Sequence, residues 1–273
     1  METASRESYA AVAQRLAAYA DGTEPEELIG TADEILAVAG LLLREPRLRR
    51  ALSDPARSGE DRAALLRELL GDQVGEATRD LLAALVAGRW STGSELLNAV
   101  ERLGVDTLLA AADRAGDLAD VEDELFRFGQ IVEGTPELAV LVGDPAVAPE
   151  RRVELVRTLL DGKARPVTVR LAELAVRGFG GRNFVASLSR LVDLAADRQA
   201  RQVAYVIVAG PLSEDEERRL GAKLSELYGR EVSMKLTVDP EILGGISVQV
   251  GSDLYDGTVA RRLADVRYAL VRR

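Results

Sequence analysis

The sequence predicts a mainly α protein with a small α+β module at its carboxy-terminal end: two duplicated helical bundles followed by a β-α-β-β-α domain. Three observations predict it. Apolar residues recur at helical spacing almost throughout the first 200 residues, a segment repeats ninety residues later, and near residue 203 the apolar spacing changes to that of strands. The expected parts are a first bundle over 1–115, a second over 116–200 and the module over 201–273.

The first helix is read from "ESYAAVAQRLAAYADG", where Tyr9, Val12, Leu16 and Tyr19 fall close to one stripe. "ADEILAVAGLLLREP" repeats apolar positions at three and four until Pro46 ends it, and shorter helices follow between Asp-Pro pairs and glycines. Shifted by ninety, residues 33–88 match 123–178 without a gap, with 17 identities in 56 columns. Asp54-Pro55-Ala56 recurs as Asp144-Pro145-Ala146, Glu60 and Arg62 as Glu150 and Arg152, and Leu65, Arg67, Leu69 and Leu70 as Leu155, Arg157, Leu159 and Leu160. One helical unit has been copied; a solenoid would want three repeats or more. Leucines 65, 69 and 81 and their counterparts are expected on inward stripes, with Asp-Pro turning one helix into the next. Residues 93–130, which bridge the copies without a proline, predict a helical connection that is either one long helix or gently broken, with Gly116 as the point of interruption.

In the module, the continuous apolar run Val203–Ala209 predicts a strand covered on both faces. Ser213, three residues before Glu216, predicts a capping box for a helix with the stripe Leu220, Leu224 and Leu227. Val232, Met234, Leu236 and Val238 alternate as a half-buried strand, and Ile246, Val248 and Val250 form one face of another, closed by a turn at Gly251-Ser252. Gly244 and Gly245 predict a bulge or a close backbone approach. Asp256 or Thr258 caps a final helix with the stripe Val259, Leu263, Val266 and Leu270, ending in Arg272 and Arg273.

The glycines do not make a phosphate site. Gly244, Gly245 and Gly251 miss the G-x-G-x-x-G spacing, Gly162-Lys163 is followed by Ala164 and lacks the earlier glycine of a P-loop, and "GFGG" at 178–181 reads as a tight interhelical turn. With neither cysteine nor histidine in 273 residues, disulfides, thiolate zinc sites and Ser-His or Cys-His relays are excluded. The 45 acidic residues recur beside arginines at spacings of three and four, the pattern of solvated helix faces. A net charge of −10 repels a phosphate backbone, so no nucleic acid partner is expected; nor is a cofactor. The longest apolar run, "ILAVAGLLL" at 35–43, is half of what a bilayer requires, and "METASRESYA" has no secretory pattern. Only three of the 35 basic residues are lysines, a bias of GC-rich bacterial genomes.

The ordered set Ala209-Gly210-Pro211-Leu212-Ser213, "VDPEILGGI" at 238–246, Gly251, Asp256-Gly257-Thr258 and Arg262-Leu263 resembles the delta subunit of F-type ATP synthases, whose mitochondrial counterpart is the oligomycin-sensitivity-conferring protein. Tyr9-Ala10 before an Ala/Leu helix is similar to the opening of that family. The resemblance implies a non-catalytic stator on the cytoplasmic face of the bacterial membrane. Its helical domain would grip amino-terminal helices of alpha subunits on the catalytic head, and its module would join the b-type peripheral stalk. The family usually carries one helical domain; this chain carries an additional copy, as do high-GC Gram-positive relatives.

A stator under torque requires buried apolar contacts. The expected groove for an alpha-subunit helix uses Tyr9, Val12 and Leu16 with Leu81, Leu82 and Leu85, residues that could equally fill the bundle core. Gly244, Gly245, Gly251 and Gly257 are read as shaping the sheet. The rival readings are a free-standing helical adaptor and an enzyme built on a carboxylate pair in a closed pocket.

Overall fold

A computed structural model describes residues 3–144, 146–200, 203–229, 232–239, 242–250, 253–259 and 261–263. The chain divides into two compact units, Met1–Ala195 and Ala196–Arg273.

The first copy of the repeat lies within α1 (Thr3–Asp21), α2 (Pro25–Arg44), α3 (Pro46–Ser53), α4 (Gly59–Leu70), α5 (Glu76–Ala87) and α6 (Gly93–Ala115). The second continues through α7 (Leu118–Glu133), α8 (Pro136–Gly143), α9 (Pro149–Leu160), α10 (Pro166–Arg177), a 3-10 turn at Phe179–Gly181 and α11 (Phe184–Ala200). Proline opens α2, α3, α8, α9 and α10, where its missing N–H would have no helical partner in any case. Ser58 and Thr92 cap α4 and α6 by accepting from Asp61 N (3.0 Å) and Glu95 N (3.2 Å). Gly116, at φ 78°, ends α6 and breaks the 93–130 connection.

The copies fold by the same local contacts. Ala56 N donates to Asp54 Oδ1 (2.9 Å), and Ala146 N to Asp144 Oδ1 (2.8 Å), the same Asx turn twice; Pro145 itself lies outside the described residues. Glu34 accepts from Gly75 N (2.9 Å) and from the Thr78 hydroxyl at the start of α5. Glu124, ninety positions on, accepts from Arg165 N (2.9 Å) and Thr168 Oγ1 (2.5 Å) at the start of α10. A repeated glutamate thus satisfies the free N–H groups of a repeated helix start.

The cores differ from the expected stripes at one point. On α4 the inward residues are Ala63, Leu66 and Leu70, whereas Leu69 is 42% exposed and Leu65 half-buried, because the helix turns the 66–70 row inward. In α6 the residues up to Leu103 pack with α1–α5, while Val105 and Leu108 to Ala112 belong to a cluster formed with α7–α11 that also takes in Ala20 of α1 and Leu28 and Ala32 of α2. The expected boundary at 115 therefore coincides with the end of a helix that serves both cores, and the two copies form one unit.

The second unit contains β1 (Val203–Val208), α12 (Glu214–Tyr228), β2 (Ser233–Val238), β3 (Ile246–Val250) and β4 (Asp253–Asp256), in sheet order β2-β1-β3-β4. β1 and β2 run parallel around α12; β3 pairs antiparallel with β1 and with β4. The capping box is present: Glu216 N donates to Ser213 Oγ (3.4 Å) and Ser213 N to Glu216 Oε2 (2.8 Å); the Ser213 hydroxyl, donating to Oε2 at 2.7 Å, and then Ser213 N hold the Glu216 carboxyl below the usual range. Three expectations are corrected. β4 is an additional edge strand, hidden in the sequence because "DLYD" carries no alternation. Among its described side chains β1 buries Ala204, Val206 and Val208 and leaves Tyr205 and Ile207 exposed, since α12 packs on one face. Leu224 is buried and Leu220 half-buried against the sheet, but Leu227 is 62% exposed, a turn out of phase with that face. Val232 is buried and Met234 and Leu236 are half-buried as read, while Val238 is exposed at the strand end.

Candidate functional site

α1 and α5 lie side by side, and their seam brings together all six residues read as a helix groove. Val12, Leu16, Leu81, Leu82 and Leu85 are at most 5% exposed and share a core with Ile35, Leu66 and Leu103. Tyr9 is half-buried and its hydroxyl donates to Asp106 Oδ2 (2.6 Å). Burial, then the Asp106 carboxylate, pushes the Tyr9 phenol well above its ordinary value. The five apolar residues are bundle core; beside them Ala11, Gln14 and Ala18 face solvent along α1, and Asp80 and Ala87 along α5.

The matching seam of the second copy lies between α6 and α10, since α6 stands ninety residues after α1. There the counterparts of Tyr9, Val12 and Leu16 are Ala99, Arg102 and Asp106. Arg102 Nε pairs with Asp106 Oδ1 at 2.8 Å, and the same carboxylate accepts from Tyr9. Helix α2 covers α6: Leu36 rests where a side chain on Gly104 would stand, 2.6 Å from the position of its Cβ. Arg170 of α10 reaches back to Asp33 of α2 at 2.8 Å. The α6 side of this second seam is thus polar and lies under α2, while its α10 side, with Leu171, Ala172 and Ala175 at the positions of Leu81, Leu82 and Leu85, is apolar and fully buried.

Sequence reasoning missed a groove on the other side of the second copy. It runs between α7 and α11, floored by Leu125, Phe184 and Leu188 and rimmed by Phe126 and Val185, which are 55% and 41% exposed. The signal was available in the repeat itself: position 126 matches Leu36, so an aromatic residue stands where the first copy seals a contact.

In the module, the motif glycines are explained by backbone contact. Gly245 has φ 90°, and a Cβ there would stand 2.5 Å from Gly257 O; Gly244 has φ 134°. Of the two readings, close approach is the one observed. Gly257 N donates to Ile246 O and Val259 N to Gly244 O, both at 2.9 Å, which locks "DGT" onto "GG". Asp256 Oδ1 accepts from Thr258 N (3.0 Å) and Oγ1 (2.7 Å), and these bonds hold its carboxyl below the usual range. Thr258 Oγ1 accepts in turn from Arg261 N (3.3 Å), so Thr258 caps the turn that follows and Asp256 orients the cap. Gly251 and the positions 266, 270, 272 and 273 lie outside the described residues; Val259 and Leu263 are exposed.

Among the described residues no cluster of acidic groups is placed to hold a metal ion, and no helix is long and apolar enough to cross a membrane. What the geometry offers is helix seams and a glycine-locked sheet.

The family model described as "ATP synthase delta (OSCP) subunit" matches residues 105–270. Its first residue falls inside α6, so the match takes in the second copy and the module. The relatives extend further. "ATP synthase subunit delta" of Salinispora arenicola is 65% identical, covering 98% of both chains. The proteins of the same name from Streptomyces griseus and Parafrankia sp. are 48% and 42% identical, over 97% and 100% of each chain. The first copy is thus shared with these relatives although the family model leaves it out. By the match over 105–270 and the identity along its full length, the chain belongs to the ATP synthase delta (OSCP) subunit family.

Proposed function

We propose that this chain is a non-catalytic peripheral-stalk subunit of a proton-transporting F-type ATP synthase. It links alpha subunits of the catalytic head to the b-type stalk at the cytoplasmic face of the bacterial membrane. The observation that carries the reading is the full-length identity to proteins named ATP synthase subunit delta. The residue chemistry agrees with it: without cysteine or histidine, and with long apolar helix faces, the sequence suits binding better than reaction.

The alpha-subunit helix is assigned to the α1–α5 seam, with Tyr9, Val12, Leu16, Leu81, Leu82 and Leu85 as its floor. The reason is the contrast between copies: the equivalent α6–α10 seam has Arg102 and Asp106 in place of Val12 and Leu16 and is covered by α2. The glycine-locked module is assigned to the stalk.

The test of function is reconstitution. Membranes carrying the synthase but stripped of this chain are expected to lose ATP-driven proton pumping and regain it when the chain is added back; a head that stays coupled without the chain overturns the reading. For the seam, Val12→Asp reports on folding first because the residue is buried. Ala11→Arg and Ala18→Arg, at exposed positions beside the floor, are expected to weaken binding of an alpha amino-terminal peptide at least tenfold while leaving circular dichroism unchanged. Unchanged affinity in both removes the assignment.

A further inference from the structure

Where the second copy opens the groove between α7 and α11, the first copy packs α2 directly on α6, and one exchange distinguishes them. In the first copy Leu36 of α2 settles over Gly104 of α6, filling the space a Cβ would take. The N-caps Thr92 of α6 and Asn183 of α11, which accepts from Ala186 N at 2.9 Å, set the correspondence of those two helices at ninety-one positions. It places Ala195 opposite Gly104. Ala195, which carries a methyl where the first copy has a bare glycine, is fully buried, and Phe126, at the position of Leu36, is 55% exposed. The helices still meet at Gly129, where an added Cβ would stand 3.3 Å from Leu188, and Phe128 packs edge-on against Phe184 with ring centroids 6.0 Å apart. Beyond those contacts an opening of about 210 Å³ remains.

Its shape and charge define an occupant. The α11 wall extends from Phe184 to Asp193, which at 1.5 Å per residue is roughly 14 Å, enough for apolar anchors at i, i+3 or i+4, and i+7 of a helix. The charged groups lining it are Glu133 on α7 and Asp193 on α11, both acidic. Arg190 approaches Asp193 only to 3.9 Å, with both side chains largely exposed, too loose to neutralise it. A second copy of this chain would bring the same two carboxylates against themselves, on a molecule already at net −10. We propose that the α7–α11 groove is a docking site for an amphipathic helix of a partner polypeptide that carries Lys or Arg on the flanks of its apolar stripe.

The site goes beyond the stator reading, and the test below uses synthetic helices, so its failure leaves that reading standing. Two labelled 18-residue helices share one leucine stripe and differ only in lysine or glutamate flanks; fluorescence anisotropy reads their binding to the full chain. The lysine helix is expected to bind at least tenfold tighter than its twin. Phe126→Asp, and separately Val185→Asp, are expected to weaken it tenfold or more with circular dichroism unchanged. Glu133→Lys combined with Asp193→Lys is expected to reverse the preference, while Glu60→Lys with Glu68→Lys, exposed acidic positions on α4, leaves it as it was. Hydrogen exchange should slow in 125–133 and 184–193. Equal binding of the two helices, indifference to both Asp variants, or protection confined to other helices overturns the proposal. So does sedimentation showing a dimer that Phe126→Asp dissolves, since the occupant would then be a second copy.

Discussion

At the α2–α6 pair the first copy of the helical repeat is sealed, and at the equivalent α7–α11 pair the second is open, although both began as the same unit. Arg62 shows the difference most directly. Its guanidinium, 5% exposed, donates to five carbonyls, those of Asp54, Arg57, Val86, Ala87 and Gly88, at 2.7–3.1 Å. It thereby ties the α3–α4 turn to the last turn of α5. Arg152, its counterpart, donates to Val142 O at 3.2 Å, and among the described residues its buried Nε has no partner. In one copy Leu36 seals α2 to α6; in the other Phe126 stands exposed above α7 and α11. Duplication preserved the turns and helix starts and relaxed the packing at these two points.

Removing the two arginines separates the copies most strongly. Arg62→Ala strands several carbonyls in a buried corner and is expected to cost on the order of 3 kcal/mol, whereas Arg152→Ala, with far less to lose, should cost about 1 kcal/mol. Urea unfolding followed by hydrogen exchange in α4 and α9 measures both, and equal losses would abolish the contrast. Next in size is Gly104→Ala. An alanine ordinarily favours a helix by about 1 kcal/mol over glycine, but here its methyl meets Leu36, and overpacking of that kind costs about 1–3 kcal/mol. Net destabilisation is expected, relieved when Leu36→Ala is added; a stabilised single variant would show that the seal is soft.

A smaller effect should be alike in both copies. Thr78→Val and Thr168→Val each remove a hydroxyl bond to the repeated glutamate and should cost about 1 kcal/mol apiece. Markedly unequal values would mean that the helix starts have diverged as well. The smallest concerns pH. Burial raises the Glu101 carboxyl above its ordinary value, against the opposing hydrogen bond from Gly180 N (2.8 Å). The folded state then holds this proton more tightly than the unfolded chain, so stability falls as pH rises from the unfolded value through the higher folded one. Glu101→Gln keeps an acceptor for Gly180 and should flatten that slope, adding about 0.5 kcal/mol at neutral pH. Thermal unfolding between pH 4 and 7 decides it, and a steeper slope in the variant refutes the sign.

Much of this architecture was legible because it is local. Pro46 and Gly116 mark their boundaries through backbone stereochemistry, Ser213 and Glu216 announce their box, and the repeat at ninety is visible from Asp54-Pro55-Ala56 alone. What failed depends on phase and on neighbours. Leu69 and Leu227 have the right residue type one step out of register with a core that only tertiary packing defines. β4 pairs through its backbone, so "DLYD" gives no side-chain signal. The six seam residues were found together, yet whether an apolar stripe is floor or surface depends on what packs above it. Phe126 was passed over because an exposed aromatic is recognised only by comparison with its twin.

α6 is both the last helix of one bundle and the first of the next. The copied segment is therefore shorter than a complete six-helix bundle, and it was spliced in with no joint of its own. A hinge cannot form where a single rod runs through, so any load reaching one half is borne by the other without slack. For the same reason, excising ninety residues in phase, from the middle of α1 to the same point in α6, should leave a shorter protein whose rejoined rod begins an intact single bundle.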